Sequence, residues 1–195
     1  MNNPQHLSIK PEHYTPPGIL ERCRLTINSG IDLDPASDCI ANENVGAKNF
    51  YTQTDGPLMD RVKWEAKSVF CNPPGGRLGK KSLSALFWDK FILEYRKGHF
   101  EAGFFLGFSL ELLPKRLDIL QQSVLIFGNL FPDFPKLRPT FLTGSGRIKF
   151  LDKDFKPQAS PTHGSFLVLA SRSTKHYWAF EDNFSDCGRI VRNPR

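Results

Sequence analysis

Asn72-Pro73-Pro74, at the end of the apolar run Ser68-Val69-Phe70-Cys71, is the group of residues best suited to chemistry in this chain. Neither proline has a backbone N–H, and both hold φ near about −65°. The residue before each proline is kept out of helical space. Such a turn is stiff: it aims the Asn72 amide in one direction and leaves backbone carbonyls free to accept hydrogen bonds. Those are the requirements for gripping an exocyclic amino group, whether N6 of adenine, N4 of cytosine or a glutamine amide, during methyl transfer to nitrogen. A second group, Asp34-Pro35-Ala36, stands at the end of a short strand expected at Ile31-Asp32-Leu33-Asp34, and Asp55 lies between the two in Asp55-Gly56-Pro57. An acid at a strand end is well placed to hydrogen-bond the polar groups of a cofactor. Both aspartates also read as loop caps or turn formers.

The pattern of elements says how these groups come together. A helix is expected from Pro17, a residue suited to a first helical turn, to about Asn28. Residues 31–34 read as a short strand, 36–54 as a loop with one short helix, and 68–72 as a second clear strand. Leu83, Leu86, Phe87, Phe91 and Tyr95 recur at helical spacing and predict an amphipathic helix over 81–96. A buried strand over 102–108, a helix over 110–120 despite Pro114, and a strand over 124–127 follow. Beyond these, Pro132, Pro135 and Pro139 break the chain into loop, and 147–151 and 166–170 read as strands. Strands alternating with helices up to residue 127 argue for a parallel sheet covered by helices. In such a sheet ligands bind beyond the carboxyl ends of the strands, where Asp34 and Asn72 stand.

At 195 residues the chain is long enough for a sizeable core and is expected to form one domain. A net charge of +6 fits a polyanionic partner without requiring one. The four cysteines, Cys23, Cys39, Cys71 and Cys187, form no C-x-x-C pair, which argues against zinc and against a disulfide framework. Residues 1–10 are polar and lack the apolar core of a signal peptide. The longest apolar stretch, 102–108, is too short to span a bilayer. The expectation is a cytosolic protein with no metal and no membrane association.

The order Tyr14-Thr15-Pro16, Leu33-Asp34-Pro35-Ala36-Ser37, Asp55-Gly56, Trp64, and Val69-Phe70-Cys71-Asn72-Pro73-Pro74-Gly75-Gly76 resembles the phage and prophage DNA N6-adenine methyltransferase (Dam-like) family. The similarity continues through Ala85-Leu86-Phe87-Trp88 and, loosely, Phe105-Leu106-Gly107-Phe108-Ser109. It extends to Arg147-Ile148-Lys149-Phe150 and Ser160-Pro161-Thr162-His163-Gly164-Ser165, so it spans about residues 13 to 170. The resemblance implies a Rossmann-like class I fold: a mostly parallel sheet, helices on both faces and an antiparallel C-terminal hairpin. It implies a core of about 13–171 with a tail of about 172–195.

It also implies S-adenosylmethionine as cofactor, duplex DNA with a flipped base as partner, and a bacterial or phage-infected cell as setting. By the same analogy Tyr14, Thr15 and Pro16 lie near the methionine end of the cofactor. Asp34, Pro35 and Ala36 form its first loop, and Asp55 approaches its adenine. Asn72, Pro73 and Pro74 hold the target base. In the wider amino-methyltransferase group an aromatic residue follows the second proline and stacks on the base, whereas here that residue is Gly75. Phe70, Trp88 and Phe108 are then the candidates for stacking. No acid is evident at the end of a second strand to hold the cofactor ribose.

Arg77, Lys80 and Lys81 follow the proline turn and are candidates for phosphate contact, or simply a solvated helix start. Lys136, Arg138, Arg147 and Lys149 form a second basic group, and residues 131–142 are a candidate sequence-reading loop. Gly144-Ser145-Gly146 is a weak phosphate-cradle motif, and His163 reads as a loop residue before a catalytic base. The same residues also accommodate cytosine N4, RNA or a protein glutamine as acceptor, or a binding module that keeps the fold without the activity.

Overall fold

The structure is a computed structural model and describes residues 13–114, 122–158 and 163–192. Helix α1 (Pro17–Ile27) begins on a proline whose missing N–H costs nothing there, and Asn28 ends it in the left-handed conformation at φ 50°. Strand β1 (Leu33–Asp34) follows. Helix α2 (Cys39–Val45) is capped by Asp38, whose Oδ1 accepts a 2.7 Å hydrogen bond from the Ala41 N–H. Strands β2 (Asn49–Phe50) and β3 (Ala66–Cys71) come next, then a small hairpin of β4 (Arg77–Leu78) and β5 (Lys81–Ser82). Helix α3 (Leu83–Lys97) leads to β6 (Phe100–Gly107), and β7 (Gln122–Phe127), β8 (Phe166–Ser171), helix α4 (Thr174–Phe184) and β9 (Gly188–Arg192) complete the chain.

Seven of these strands form one sheet in the order β2-β1-β3-β6-β8-β7-β9. From β2 through β6 all pairings are parallel, whereas β8 is antiparallel to both β6 and β7, and β9 is antiparallel to β7. Five strands therefore run one way and β8 and β9 the other. The result is a mixed α/β fold with a mostly parallel sheet, compatible with a Rossmann-like architecture.

Alternation along the strands splits the core between two faces. Phe70, Phe104, Leu106, Leu167 and Leu169 face α1 and α4, packing on Ile19, Leu20, Cys23, Phe180 and Phe184. Val69, Cys71, Phe105, Phe166 and Val168 face α3, packing on Phe87, Trp88, Phe91 and Ile92. Helices cover both faces. The adjacent aromatics of the second cluster meet edge-to-face as well as stacked, with Trp88 and Phe105 at 4.9 Å and 86°.

Three expectations need correction. Residues 147–151 do not form a regular strand, because their partners change along the segment. Arg147 and Lys149 bond to Thr143 and Phe141, while Leu151 turns to Tyr14. The expected helix over 110–120 begins as a single 3-10 turn at Leu110–Leu112 with Pro114 just after it, and residues 115–121 lie outside the described residues. The stretch after residue 171 is not a tail: it supplies α4, whose Phe180 and Phe184 are fully buried, and the edge strand β9.

Candidate active site

The chain leaves β1 for β2 on one side and returns to β3 on the other, so the strand order reverses between β1 and β3. Crevices outside the carboxyl ends of strands at such a reversal are where open α/β sheets bind ligands. Leu33 pairs with Val69, which brings Asp34 and the proline turn after Cys71 to the same end of neighbouring strands.

Asp34 is only 2% exposed. Its Oδ1 accepts a 3.0 Å hydrogen bond from the Ala36 N–H. Burial pushes its carboxyl up to about 7, with Asp38 adding to the rise and the Ala36 N–H and Ser37 hydroxyl opposing it. Pro35 is buried and Ala36 half-buried beside it.

Across this end of the sheet runs a strap of residues 13–16. Tyr14 and Leu151 exchange two main-chain hydrogen bonds of 2.9 Å. The Thr15 carbonyl accepts from Asn44 Nδ2 at 2.6 Å, which fixes the strap to α2, and buried Pro16 leads into α1. The Tyr14 hydroxyl lies 3.5 Å from Asp38 Oδ2, a long contact. Asn72 is tied to this strap: its Nδ2 donates to the His13 carbonyl at 2.9 Å and to the Thr15 hydroxyl at 3.1 Å. A carbonyl can only accept, so the nitrogen end of the amide is fixed toward the strap and the oxygen end is the one left over. Among the described residues nothing donates to Asn72 Oδ1 or to the Pro73 carbonyl. Two acceptors thus stand unused at the carboxyl end of β3, next to a buried acid.

The structure brings Tyr14, Thr15, Pro16, Asp34, Pro35, Ala36, Asn72 and Pro73 to one place. Asp38 and Asn44 support the group and escape motif reading. Only the Ser37-Asp38 pair before α2 hints at the helix cap, and nothing in the sequence singles out Asn44. The two-residue strand β2 is also missed by periodicity, and it changes the reading of Asp55. An acid does follow the second strand, in the 3-10 turn Gln53–Asp55 at the same end of the sheet. Asp55 is exposed, and its Oδ2 accepts from the Thr52 N–H and hydroxyl, both at 2.7 Å. Those bonds hold its carboxyl below the usual range. In this structure Asp55 serves as a cap.

Trp88 needs correction. It is 0% exposed, enclosed by Phe91, Phe105 and Phe166 between α3 and the sheet, and is unable to stack on a base. Phe70 is equally buried on the opposite face. Of the three stacking candidates only half-buried Phe108 lies just past the carboxyl end of a strand, β6, which is the neighbour of β3. Pro74 and Gly75 are exposed, and a Cβ on Gly75 would meet nothing within 4 Å. Arg77, Lys80 and Lys81 belong to the β4–β5 hairpin and not to a helix start, since α3 begins only at Leu83.

Elsewhere, Lys149 Nζ donates to the Thr140 carbonyl at 2.8 Å, so part of the second basic group braces its own loop. Lys136 is exposed on the loop of residues 131–142, beside Phe134 at 63% and Leu137 at 58% exposure. The Gly144-Ser145-Gly146 segment is a structural turn. Gly144 accepts from Asn129 Nδ2, and Gly146, at φ 75°, lies against the Gly128–Asn129 backbone. His163 is exposed, and Ser160, Pro161 and Thr162 lie outside the described residues. A surface depression of about 480 Å³, lined by Leu130, Glu181, Ser185, Gly188, Arg189 and Ile190, lies beside β9 and includes none of the strand-end residues. Among the described residues no helix is long and apolar enough to cross a membrane. Comparison with protein-family models, curated proteins and solved structures finds no match.

Proposed function

We propose that this chain is an S-adenosylmethionine-dependent methyltransferase of DNA, acting on N6 of adenine. One observation carries the reading: the Asn72 amide is anchored through its nitrogen, so that its oxygen and the Pro73 carbonyl are both available beside the buried Asp34 loop. The resemblance in motif order supports the choice of DNA and adenine. The antiparallel β8 between the like-directed β6 and β7 agrees with the reversed C-terminal strands expected of a class I methyltransferase.

The residues present suit the cofactor. Asp34 is a buried carboxyl without a cationic partner among the described residues, and the ammonium of a methionine moiety would favour its ionised form. Tyr14, Thr15, Pro16, Pro35 and Ala36 would surround the same group. When bound, the cofactor supplies an electrophilic methyl group on a sulfonium. Asn72 Oδ1 and the Pro73 carbonyl accept the two amino hydrogens of the target, which localises the nitrogen lone pair and directs it along one line. The strap keeps the amide from rotating, so this alignment exists before the substrate arrives. Positioning and fixed dipoles supply the acceleration, and no general base is needed before attack. Exposed Gly75 leaves room for the base beside Pro74 without stacking on it.

Replacing Asn72 with Ala is expected to lower methyl transfer to unmethylated plasmid DNA by about 10³-fold or more while cofactor affinity stays within a few-fold. Radiolabelled transfer and calorimetric titration of S-adenosylmethionine measure the two. Equal activity in the variant would remove the mechanism, and failure of the wild type to bind the cofactor would remove the assignment. Cytosine-only DNA, RNA and peptides serve as competing acceptors in the same assay.

A further inference from the structure

Leu78, at 64%, is the most exposed large apolar side chain among the described residues. A single exposed leucine needs no explanation by itself. Its setting does. Leu78 lies at the tip of the β4–β5 hairpin, where it pairs with Lys81 across the two-residue loop Gly79-Lys80. Gly79, with φ 59° at the first loop position, follows the residue order of a type II′ turn, whose twist suits a tight hairpin.

The hairpin is closed at its base, where the Leu83 N–H donates to the Gly76 carbonyl at 3.0 Å. It is closed across the tip as well, where Arg77 Nη2 donates to the Lys80 carbonyl at 2.7 Å. Isolated two-residue strands add little to stability, and these ones bury nothing: Arg77, Leu78, Lys80 and Lys81 are all exposed. The hairpin is therefore a braced projection with an apolar tip ringed by three cations. No acidic residue occurs between Glu65 and Asp89. Leu78 is four residues beyond Pro74, so its Cα lies within about 14 Å of the proline turn.

We propose that this hairpin is a wedge for duplex DNA: Leu78 enters the base stack beside the target nucleotide, and Arg77, Lys80 and Lys81 hold the flanking phosphates. The inference rests on the DNA reading above. Apolar side chains inserted at base steps unstack them, and surrounding cations offset the repulsion of the backbone. A base leaving the duplex costs its stacking and pairing. A side chain that fills the gap lowers that cost for duplex but contributes nothing on a strand already unpaired.

The test compares wild type, Leu78→Ala and Leu78→Met on unmethylated plasmid DNA, native and heat-denatured, with circular dichroism to verify folding. Permanganate reactivity of thymines in the native DNA reports unstacking independently of methylation. The expected result is a loss of about ten-fold or more for Leu78→Ala on native DNA, with activity on denatured DNA within about two-fold of wild type. Permanganate reactivity falls in parallel, and Leu78→Met retains most of both. Unchanged activity on native DNA, or an equal loss on both forms, overturns the wedge. A wild type that methylates neither form refutes the adenine chemistry alone. The wedge is then decided by permanganate: enhanced reactivity that Leu78→Ala abolishes upholds it, and no enhancement by wild type overturns it. Wild-type binding to anionic phosphatidylglycerol vesicles without unstacking of DNA would assign the hairpin to lipid instead.

Discussion

At the scale of single residues, two side chains set the character of the candidate site, an amide held by its nitrogen end and a buried carboxyl. Asn72 spends its two N–H groups on the strap and keeps its oxygen. Asp34 satisfies one oxygen on the Ala36 N–H, and burial raises its carboxyl to about 7. A carboxyl whose folded pKa exceeds its unfolded value near about 3.9 favours the folded state most when protonated. The protein should accordingly lose stability as pH rises from about 4 to about 7. Asp34→Asn keeps the Ala36 hydrogen bond and removes the titration. It is expected to raise Tm by about 5 °C at pH 8 and to flatten the dependence, as thermal melts across this range would show. Under the proposed function, S-adenosylmethionine binding should run the other way in wild type, strengthening as pH rises through 7 when a cationic group of the ligand meets the carboxylate. Calorimetry on wild type and Asp34→Asn separates this from a general pH effect, because the variant should bind weakly and without the slope. Both residues were legible in sequence, since a proline after each strand end marks where the chain turns. Their anchoring was not: His13, Thr15 and Asn44 reach the site only through tertiary approach. The exclusion of Trp88 was equally hidden, because helical spacing identifies an apolar face without saying how deeply each member is buried.

Elements carry the next level of argument, and α3 illustrates it. Its Glu94, 1% exposed, receives the Trp64 N–H at 2.9 Å and pairs with Lys90 at 2.9 Å and His99 at 2.5 Å. Lys90, 5% exposed, also donates to the Met59 carbonyl at 3.2 Å. One carboxylate thereby binds the helix to the segment before β3 and to the turn before β6. Glu94→Ala would leave the Lys90 ammonium buried with only a carbonyl partner, at an expected cost of about 3–5 kcal/mol. Urea unfolding measures it, and Glu94→Ala with Lys90→Met should recover much of the loss. Elements with several apolar residues at regular spacing, such as α1, α3, β6 and β8, were readable to within a few residues. Short ones were not. β2 is two residues long with no apolar alternation, and α4 carries only Tyr177, Phe180 and Phe184 at helical spacing, a thinner apolar stripe than that of α3. Residues 147–151 carry alternating apolar side chains, but alternation describes which face a residue takes, not whether one continuous partner lies alongside.

Across the whole molecule, the sheet divides into a parallel half that forms the candidate site and an antiparallel half that closes the core. Parallel pairing of β1, β3 and β6 was foreseeable from strand–helix alternation, whereas the order of β8, β7 and β9 depends on long connections that leave no local signal. The antiparallel half is integral: a chain ending at residue 173 would lose β9 and expose the faces of β6 and β8 covered by Phe180 and Phe184. Such a truncation is expected to remain largely insoluble or unfolded, as expression and circular dichroism would show. The strap has a consequence of another kind. Its bonds to Asn72 join residues 57 and 59 positions apart, and its pairing with Leu151 spans most of the chain. Contacts at such sequence separation are reached only after large loops have closed, so they form late in folding. The Asn72 amide is consequently set by an N-terminal segment that meets an already formed sheet. A nascent or partly unfolded chain would carry every strand-end residue and still leave Asn72 free to rotate, so any activity that depends on the direction of this amide would arrive as a final step of maturation.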